Sequence, residues 1–454
     1  MAMSLTKASR AMQGALHGAD AAFAGVSTDT RTLVKGNLFF ALTGDRFDGH
    51  DMLEQAAERG ATGAVVERRM AATLPQIVTR NSRRSLGDLA HAWRREMPAR
   101  VLGITGSNGK TTVKEMCATI LRQDHQVLAT RGNLNNDIGV PLTLFGLDRT
   151  HDFAVIEMGA NHPGEIAMLA AIAEPQVSVI TVCAPAHLEG FGSIEGVAAA
   201  KGEIYDALAP TGIAIINGDD AFAPAWRERV GQRKAVTFGL GDGNDFRAEG
   251  IVVDCVELTT RFRLLTPAGD ADVTLALAGQ HNVMNALAAA ACTSALGIAL
   301  DKIVAGLSQV AAVHGRLQRR LGIHGSLIID DTYNANPGSV KAALAVLAQC
   351  NGRRIFVLGD MGELGPDTRA LHAELGADAR RAAVDLLVTV GDLAEAANKT
   401  FAPGESRHFN NVEAATHFLN EIIDTNCAVL VKASRAMGLE RIVNAISVGE
   451  VPQC

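Results

Sequence analysis

Residues 103–112 read Gly-Ile-Thr-Gly-Ser-Asn-Gly-Lys-Thr-Thr and directly follow the apolar pair Val101-Leu102. Small residues let consecutive backbone N–H groups surround phosphate oxygens, and a following helix adds the positive end of its dipole. Lys110 can then reach the β- and γ-phosphates, and the Thr111 hydroxyl can bind Mg²⁺. A strict phosphate-binding loop has glycine at position 104, where this chain has isoleucine. The pattern still favours ATP binding over an ordinary turn. The predicted phosphate-binding residues are Gly106, Ser107, Asn108, Gly109, Lys110, Thr111 and Thr112.

The composition is that of an ordinary globular protein. The chain has 454 residues, of which 48% are hydrophobic and 20% charged, and this length predicts about two to four domains. Its 42 basic and 49 acidic residues give a net charge of -7. A basic surface that would recruit nucleic acid is therefore not expected, and no nucleic-acid partner is predicted.

Cysteine usage and hydropathy predict a cytoplasmic protein. The seven cysteines are scattered and form no Cys-x-x-Cys pair, which indicates a reducing compartment. The N-terminal residues show no apolar segment typical of a secretion signal. Residues 283–300 lack charge but are rich in alanine and include Asn285 and Gly297, which favours a buried helix over a membrane span. We expect a monomer without stable membrane insertion.

Three segments of α/β character follow one another along the chain. Residues 1–98 carry short apolar runs between turn-rich loops and predict a small N-terminal α/β domain. Residues 99–313 alternate short strands with helices, which predicts a central ATPase-like domain with a mainly parallel sheet. An antiparallel addition is predicted between residues 236 and 273. Residues 314–454 repeat the alternation and predict a Rossmann-like, doubly wound C-terminal domain.

Apolar runs and helical periodicity give approximate element positions. Strands are predicted at residues 37–42, 64–66, 76–78, 100–105, 153–158, 177–182, 212–216, 327–331, 354–358, 386–390 and 428–431. Helices are predicted at about residues 110–122, 163–171, 195–209, 280–296 and 337–350.

Candidate metal ligands follow the glycine-rich loop along the chain. Glu157 ends an apolar strand, and a carboxylate at a strand end beside such a loop is the expected second anchor for Mg²⁺. His187 lies in a loop, where a neutral imidazole can bind a metal or face a phosphate but is ordinarily solvated. Lys201 lies in a helical pattern, where a solvated charge is the ordinary interpretation.

Polar residues further along the chain are candidate nucleotide contacts. Asn282 and Asn285 share one face near a helix start, where amides either cap the helix or contact a nucleotide. Arg316 lies at a predicted domain junction, from which a guanidinium can reach phosphate charge or form a surface ion pair. Asp331 ends a strand at a position suited to a ribose hydroxyl, and the adjacent Asp330 also permits a metal site.

Taken in order, these segments resemble the Mur ligase family, the ATP-dependent amide-forming enzymes of peptidoglycan precursor synthesis. The resemblance covers essentially the whole chain, and Ile104 is itself typical of the family. The matching segments are G-I-T-G-S-N-G-K-T-T at 103–112, E-M-G-A at 157–160, A-P-A-H-L-E-G-F-G-S at 184–193, K-G-E-I-Y at 201–205, G-Q-H-N-V-M-N-A-L-A-A at 279–289, H-G-R at 314–316 and D-D-T-Y-N-A-N-P-G-S at 330–339.

Three further segments are similar to the branch of the family that adds D-alanyl-D-alanine. They are G-N-L-N-N-D-I-G-V-P-L-T at 132–143, L-G-D-M-G-E-L-G at 358–365 and V-K-A-S-R-A-M at 431–437. The D-N-P-R motif of the diaminopimelate-adding branch is not found in the sequence.

The resemblance implies a role for each nucleotide and metal candidate. Lys110 and Arg316 would hold phosphate charge, and Thr111 and Glu157 would bind one Mg²⁺. A second Mg²⁺ would be bound by His187 and bridged by Lys201 in carbamylated form, because carbamylation turns a cation into an anionic oxygen ligand. Asn282 and Asn285 would contact the adenine-ribose region and Asp331 the ribose. The implied catalytic residues are Lys110, His187, Lys201 and Arg316.

The resemblance also implies substrate sites in the first and last domains. Composition alone favours an exposed loop for much of residues 27–51, whereas the resemblance implies a uridine-diphosphate site there. The residues implied at that site are Ser27, Asp29, Arg31, Gly44, Asp45 and Arg46. The residues implied in the peptide and dipeptide pockets are Asn135, Asn136, Asn334, Asn336, Ser434 and Arg435.

The implied activity is ATP-dependent ligation of D-Ala-D-Ala to UDP-N-acetylmuramoyl-tripeptide through an acyl phosphate. The product would be the UDP-linked pentapeptide of peptidoglycan synthesis. One alternative is another Mur-type or folylpolyglutamate-type ligase that adds a single amino acid. Another is a nucleotide-hydrolysing switch or binding module, which would need no amino acceptor.

Overall fold

The chain folds into three α/β domains, each built on a sheet of its own. The structure, a computed structural model, describes residues 2–44, 47–185 and 188–449. In these ranges no helix is long and apolar enough to span a lipid bilayer. The predicted three-domain α/β fold is confirmed.

The N-terminal domain packs helices on a small mixed sheet. Its elements are β1 (Met3–Ser4), α1 (Leu5–Ala11), β2 (Ala15–His17), β3 (Ala22–Phe23), β4 (Gly25–Ser27), β5 (Asn37–Phe40), β6 (Thr43–Gly44), β7 (Phe47–Asp48), α2 (Leu53–Glu58), β8 (Gly63–Val66), β9 (Gln76–Val78) and α3 (Ser82–Arg94). The sheet has the order β2-β9-β8-β5-β4, in which β2 is antiparallel to β9 and the other pairs are parallel. The buried face of α3 includes Leu86 and Leu89.

The central domain is built on a parallel sheet. Its elements are β10 (Arg100–Thr105), α4 (Lys110–Arg122), β11 (Val127–Ala129), α5 (Gly139–Leu144), β12 (Phe153–Glu157), α6 (Glu165–Ala173), β13 (Val177–Ile180), α7 (Leu188–Phe191), α8 (Ile194–Asp206), β14 (Ile213–Asn217), α9 (Ala223–Val230), β15 (Lys234–Phe238), β16 (Arg247–Asp254), β17 (Thr259–Thr266), β18 (Gly269–Leu275), α10 (Gln280–Ala295) and α11 (Leu300–Ser308). The sheet order is β11-β12-β10-β13-β14-β15, and every neighbouring pair is parallel.

The strand order creates a crevice at the carboxyl end of β10. The chain moves to one side of β10 to form β11 and β12 and then to the other side to form β13. Ligands of open α/β sheets bind where the strand order reverses in this way. The glycine-rich loop follows β10 directly and therefore lies at this crevice.

The charge-free segment is a buried helix, as the sequence predicts. α10 packs against α4, and Ala286, Leu287 and Ala290 have no exposed surface. Alanine side chains are small enough to let neighbouring elements approach this helix closely. The antiparallel sheet β16-β17-β18 lies beside it and confirms the predicted antiparallel addition.

The C-terminal domain is a second doubly wound unit. Its elements are β19 (Gln318–Leu321), β20 (Leu327–Asp331), α12 (Pro337–Leu347), β21 (Arg353–Gly359), α13 (Thr368–Arg381), β22 (Leu386–Val390), α14 (Ala396–Phe401), β23 (Glu405–Phe409), α15 (Val412–Ile422), β24 (Cys427–Lys432) and α16 (Glu440–Ile446). The strand order is β19-β20-β24-β21-β22-β23, and only β19 pairs antiparallel to its neighbour in this sheet of the described chain. Asp331 and Lys432 are register partners at the ends of β20 and β24.

Most predicted element positions are confirmed, and the differences lie at element ends. The predicted strand at residues 177–182 ends at Ile180, because the Val182 carbonyl instead accepts a hydrogen bond from the Ser107 N–H at 2.8 Å. The helix predicted at residues 337–350 ends at Leu347. The predicted strand at residues 37–42 ends at Phe40 and is followed by the short hairpin of β6 and β7.

Shortening a buried side chain of α10 should destabilise the central domain. Leu287 is fully buried in the apolar core that α4 and α10 share. We expect Leu287→Ala to lower the free energy of unfolding by about 2–5 kcal/mol through lost burial and a residual cavity. Val252→Thr, at a position 55% exposed, should change it by less than about 0.5 kcal/mol. Calorimetric unfolding of both variants measures the difference, and equal effects would contradict the packing described for α10.

Candidate active site

A cavity of about 1000 Å³ lies between the central and C-terminal domains at the carboxyl end of β10. Many of the predicted site residues line it. They are Ser107, Asn108, Gly109, Lys110, Thr111, Thr112, Asn135, Asn136, Glu157, Asn282, Asn285, Arg316, Asp331, Asn334 and Asn336. Residues predicted from segments more than 200 positions apart therefore meet at one site.

The glycine-rich loop needs its two inner glycines for both conformation and space. Gly106 has φ +145°, and a Cβ atom there would lie 1.9 Å from Thr181 Oγ1. Gly109 has φ +81°, and its Cβ would lie 2.3 Å from Asn285 Oδ1. L-amino acids with side chains rarely adopt such φ values. Both positions are therefore restricted to glycine, and Gly109 ends the loop directly before α4.

Hydrogen bonds hold the glycine-rich loop against the segment that follows β13, the strand next to β10 in the sheet. Ser107 Oγ donates to the Ala184 carbonyl at 2.8 Å and accepts from the Ala184 N–H at 3.0 Å. Thr181 Oγ1 donates to the Asn108 carbonyl at 2.5 Å. Lys110 Nζ donates to the Gly106 carbonyl at 2.8 Å, which holds the ammonium group over the loop. Burial lowers the pKa of Lys110, while the negative charge of Glu157 opposes this shift.

Glu157 is a buried carboxylate with one oxygen left without a partner. Asn135 Nδ2 donates to Glu157 Oε1 at 2.8 Å, and the Thr130 hydroxyl accepts from the Glu157 N–H at 2.9 Å. Glu157 Oε2 is buried without a hydrogen-bond partner. Since an unpaired buried carboxylate oxygen is costly, this atom is a candidate ligand for a cation. Asn135, which the resemblance places in a peptide pocket, contacts this carboxylate and also lines the cavity.

Arg316 connects the C-terminal side of the cavity to the residues that follow the glycine-rich loop. Its Nη2 donates to Thr111 Oγ1 at 3.1 Å. Its guanidinium lies 4.2 Å from the centroid of the Tyr333 ring, and the Arg435 guanidinium lies 5.9 Å from the same centroid. Arg316 therefore reaches the loop, and Tyr333 links it to Arg435.

Two asparagines join the loop to the C-terminal domain directly. Asn336 Nδ2 donates to Asn108 Oδ1 at 2.7 Å, and Asn108 Nδ2 donates to Asn336 Oδ1 at 3.3 Å. Asn336 Oδ1 also accepts from the Ser339 N–H at 2.9 Å, so the same side chain caps α12. Pairing of the two amides requires the closed approach of the two domains.

The asparagines of α10 are held within their own helix. Asn282 Nδ2 donates to the Ala278 carbonyl at 2.9 Å, and Asn285 Nδ2 donates to Asn282 Oδ1 at 3.1 Å. Among the described residues, neither side chain caps α10, whose start has no side-chain hydrogen bond to its N–H groups. Asn285 Oδ1 faces Gly109 of the loop, so both asparagines lie beside the predicted phosphate site.

Asp331 is engaged by protein groups at the edge of the cavity. Its Oδ2 lies 2.7 Å from Lys432 Nζ, and its Oδ1 accepts from the Leu317 N–H at 3.2 Å. Lys432 Nζ also donates to the Asn334 carbonyl at 2.8 Å. Burial lowers the pKa of the nearby His281 to about 4, so its imidazole is neutral at pH 7.

Lys201 is buried on α8 and is not part of the cavity lining among the described residues. Its Nζ lies 5.4 Å from the centroid of the Phe191 ring. Burial, together with the positive charge of Lys110, lowers the pKa of Lys201 to about 7. His187, the other predicted ligand of the second metal, lies outside the described residues. In the ranges that the structure describes, no three His, Cys, Asp or Glu side chains cluster as a metal site.

The described residues predicted at the uridine-diphosphate site do not line this cavity. The Arg31 guanidinium holds the Asp29 carboxylate through Nε and Nη2, at 3.0 and 2.7 Å, and lowers the pKa of Asp29. Ser27 Oγ donates to the Asp29 carbonyl at 2.9 Å. Gly44 lies in the hairpin of β6 and β7, and the predicted Asp45 and Arg46 lie outside the described residues.

The predicted dipeptide residues divide into two groups. Asn334 and Asn336 line the cavity, whereas Ser434 and Arg435 are not among the described residues that line it. Ser434 Oγ accepts from the Gly362 N–H at 2.8 Å, which joins the loops after β24 and β21. Asn136, also predicted there, accepts from the Gly139 N–H at 2.8 Å and so holds the start of α5.

Several cavity residues were not predicted from the sequence. Tyr333, His281, Lys432 and Arg83 all line the cavity. Tyr333 and Lys432 lie within segments that carried the family resemblance, and His281 precedes Asn282, so their segments held a signal. Arg83 lies in a helix without any motif, and its place in the cavity follows only from the fold.

Family models match most of the chain. The Mur ligase family, catalytic domain matches residues 22–98, the Mur ligase middle domain matches residues 104–293, and the Mur ligase, glutamate ligase domain matches residues 315–435.

Curated relatives match along nearly their full length. A UDP-N-acetylmuramoyl-tripeptide--D-alanyl-D-alanine ligase from Escherichia coli is 44% identical, with 98% of each chain covered. A ligase of the same name from Bacillus subtilis is 37% identical, with 92% of each chain covered.

Solved structures show the same three-domain fold. MurF from Acinetobacter baumannii has a TM-score of 0.93 and 38% identity, with 98% of each chain covered. A UDP-N-acetylmuramoylalanyl-D-glutamyl-2,6-diaminopimelate--D-alanyl-D-alanyl ligase from that organism has a TM-score of 0.89, with the same identity and coverage. MurF from Thermotoga maritima in complex with ADP has a TM-score of 0.82 and 28% identity, with 93% of this chain and 96% of that chain covered. With this identity over nearly its whole length, the chain belongs to the Mur ligase family of ATP-dependent ligases.

Proposed function

We propose that this protein joins D-Ala-D-Ala to UDP-N-acetylmuramoyl-tripeptide, with conversion of ATP to ADP and phosphate. The observation that carries the proposal is the cavity between two domains, where a phosphate-binding loop, a carboxylate with an unpartnered oxygen and an arginine meet. Relatives that carry this activity in their names match along nearly the full chain, which favours the dipeptide over a single amino acid as the amino substrate.

The chemistry requires activation of a carboxylate. A carboxylate does not react with an amine at neutral pH, because oxide is too poor a leaving group. In the proposed reaction a tripeptide carboxylate oxygen attacks the γ-phosphorus of ATP, and the bond to the ADP oxygen breaks. The amine of D-Ala-D-Ala then attacks the acyl phosphate, and inorganic phosphate leaves from the tetrahedral intermediate as the amide forms. The nitrogen loses a proton in this step.

The loop and two cations are suited to the phosphoryl transfer. Backbone N–H groups at the start of α4 favour anionic oxygens, and Lys110 lies directly over the loop. Arg316 contacts the loop from the C-terminal side. In this proposal Lys110 and Arg316 offset the negative charge that develops on the transferred group. Their positions on two domains mean that domain closure completes the site and excludes water.

The residues present fit a Mg²⁺ ion beside the loop. Glu157 Oε2 is an unpartnered, buried carboxylate oxygen, and Thr111 offers a hydroxyl oxygen in the same cavity. Both are the hard oxygen donors that Mg²⁺ prefers. When bound, the ion would neutralise charge on the phosphate oxygens. Asn135 holds the other oxygen of Glu157 and thereby orients the carboxylate.

The proposed second metal site depends on modification of Lys201. Only a neutral amine attacks carbon dioxide, and the reaction forms a carbamate with release of a proton. Because the pKa of Lys201 is lowered to about 7, about half of this side chain is neutral at pH 7, against roughly 0.03% for an ordinary lysine. The lowered pKa therefore supports carbamylation of Lys201. Together with His187, the carbamate would supply hard ligands for a second Mg²⁺.

We assign one substrate to each domain. The N-terminal domain (residues 1–98) would hold the uridine nucleotide through Ser27, Asp29, Arg31, Gly44, Asp45 and Arg46. The central domain (residues 99–313) would bind ATP, with Asn282 and Asn285 near the adenosine, and Asp331 of the C-terminal domain would approach the ribose. The C-terminal domain (residues 314–454) would bind the dipeptide through Asn334, Asn336, Ser434 and Arg435, with Asn136 on the peptide side. In this proposal the protein acts as a monomer in the cytoplasm, where ATP is available.

A complete reaction mixture tests the proposed activity. Purified protein, Mg²⁺, ATP, UDP-N-acetylmuramoyl-tripeptide and D-Ala-D-Ala should release phosphate and form the pentapeptide, because acyl transfer needs every component. The measurement is phosphate release together with product mass. Equal phosphate release without the dipeptide would contradict the ligase and favour a nucleotide-hydrolysing switch. Faster product formation with a single amino acid would favour a sister ligase.

Removal of the Asn135 amide should weaken the metal site rather than a peptide pocket. Asn135→Ala leaves the Glu157 carboxylate without its orienting donor. We expect the Mg²⁺ concentration for half-maximal activity to rise about 10- to 100-fold, as for other groups that orient metal ligands, with the KM for UDP-tripeptide unchanged. Titration of activity with Mg²⁺ at saturating substrates measures this. A rise confined to the KM for UDP-tripeptide would instead support the peptide-pocket role predicted from the sequence.

Lys201 should take up carbon dioxide in a pH-dependent manner. In protein incubated with ¹³C-bicarbonate, we expect a carbamate resonance by NMR that is present at pH 8 and declines towards pH 6, because protonation below a pKa of about 7 removes the nucleophile. Lys201→Arg should abolish it. Lys114→Arg, which alters another buried lysine that donates to the Thr130 carbonyl, should retain it. A resonance that persists in Lys201→Arg would contradict modification at Lys201.

A further inference from the structure

Arg83 brings the N-terminal domain to the edge of the cavity. Of the described residues that line the cavity, Arg83 is the one contributed by the N-terminal domain. The same cavity contains the glycine-rich loop and Glu157. A substrate held by its nucleotide in the N-terminal domain and reacting at the loop must therefore extend past Arg83. This step rests on the proposed function.

The Arg83 guanidinium is only partly occupied by protein groups. Its Nε and Nη2 donate to the two oxygens of Asp137, the Nη2 contact being 2.7 Å. The side chain of Arg83 is 53% exposed and that of Asp137 is 24% exposed. A guanidinium has five N–H donors, so three lie outside this contact. These three donors, on a side chain that is about half exposed, are available to a substrate anion beside Asp137.

The position of Arg83 is fixed by the start of its helix. Asn81 caps α3 by accepting from the Arg84 N–H at 2.8 Å, and Glu67 Oε1 accepts from the Ser82 N–H at 2.9 Å. The Glu67 N–H in turn donates to His50 Nε2 at 2.9 Å. Arg83 therefore extends from a helix start that is anchored to the body of the N-terminal domain.

The tripeptide substrate carries the matching charge. The peptide named for the Acinetobacter baumannii relative contains D-glutamyl and 2,6-diaminopimelate residues. A glutamyl residue within a peptide has one carboxyl group outside the chain of amide bonds. Diaminopimelate has two carboxyl groups, of which only one reacts. Carboxylates are the anions that the planar guanidinium fork binds with two parallel hydrogen bonds.

We propose that Arg83 is a specificity-determining residue that binds a non-reacting carboxylate of the tripeptide. The contact fixes the peptide between the nucleotide in the N-terminal domain and the loop in the central domain. The D-glutamyl carboxylate and the side-chain carboxylate of diaminopimelate share this chemistry, and substrate analogues distinguish them. Arg83 acts in recognition and not in the bond-forming steps, so its effect falls on KM for the tripeptide substrate.

Steady-state kinetics with paired substrates and variants test this assignment. Three UDP-linked tripeptides are compared: D-glutamate with diaminopimelate, D-isoglutamine with diaminopimelate, and D-glutamate with lysine. For wild-type protein, we expect one of the two analogues to show a KM about 10- to 100-fold higher than the parent substrate, as for loss of a charge-assisted hydrogen bond. Arg83→Gln should raise the KM of the parent substrate to a similar value and abolish the difference. Its kcat and its KM for ATP and D-Ala-D-Ala should change less than about twofold.

Two further variants complete the test. Arg84→Gln changes the neighbouring exposed arginine, which does not line the described cavity, and should leave all constants unchanged. Arg83→Lys keeps the charge but loses the fork, so it should restore only part of the discrimination. The assignment is overturned if Arg83→Gln leaves the tripeptide KM unchanged, or if it raises the KM of all three substrates by the same factor. A wild-type protein that ligates none of these tripeptides would instead contradict the proposed function.

Discussion

The arrangement of the site depends on the limited space around the backbone of the glycine-rich loop. Side-chain atoms of Thr181 and Asn285 occupy the positions that Cβ atoms at Gly106 and Gly109 would need. These contacts fix the loop between the end of β13 and the face of α10, and thus fix the start of α4. This packing therefore sets the positions of Lys110 and Thr111, the first residues of α4. The buried alanines of α10 serve the same end, because a bulkier helix would not lie this close to α4.

Cationic side chains from the central and C-terminal domains lie around the glycine-rich loop. Lys110, Arg316 and Lys201 bring positive charge to the region, while Glu157 is the carboxylate that interacts with Lys110. Burial lowers the pKa values of both lysines, and the charges of Arg316 at Lys110 and of Lys110 at Lys201 act in the same direction. A bound polyanion would offset the repulsion between these cations. The Asp331–Lys432 pair, in contrast, is closed on itself and adds no net charge to the site.

Local signals in the sequence predicted most of the fold and the part of the site that one segment provides. The strand Arg100–Thr105 and the helix Lys110–Arg122 lie where apolar runs and helical spacing place them. Contacts between distant segments could not be predicted in this way. Asn108 and Asn336 are 228 residues apart, and only the packing of two domains pairs them. Arg83 has no motif around it, so its approach to the cavity depends on how α3 packs against α5 and α6.

Strand ends were the least predictable part of the central sheet for a related reason. Val182 has the apolar character of a strand residue, but its carbonyl is used by Ser107 of the loop. The family resemblance implies a substrate contact for Asn135, and the structure shows that its amide donates to Glu157. In both cases the hydrogen bond joins segments that are distant in sequence, so the local sequence does not predict it.

The Asn108–Asn336 pair has a consequence for how the two domains separate. Both partners are neutral amides, so their contact does not depend on the protonation state of any group and is little affected by ionic strength, unlike an ion pair. A neutral hydrogen bond contributes only about 0.5–1.5 kcal/mol net, which makes the pair a weak, reversible contact. Because Asn336 also caps α12 through the Ser339 N–H, its side chain stays oriented when this contact breaks. Opening of this contact therefore leaves the start of α12 unchanged.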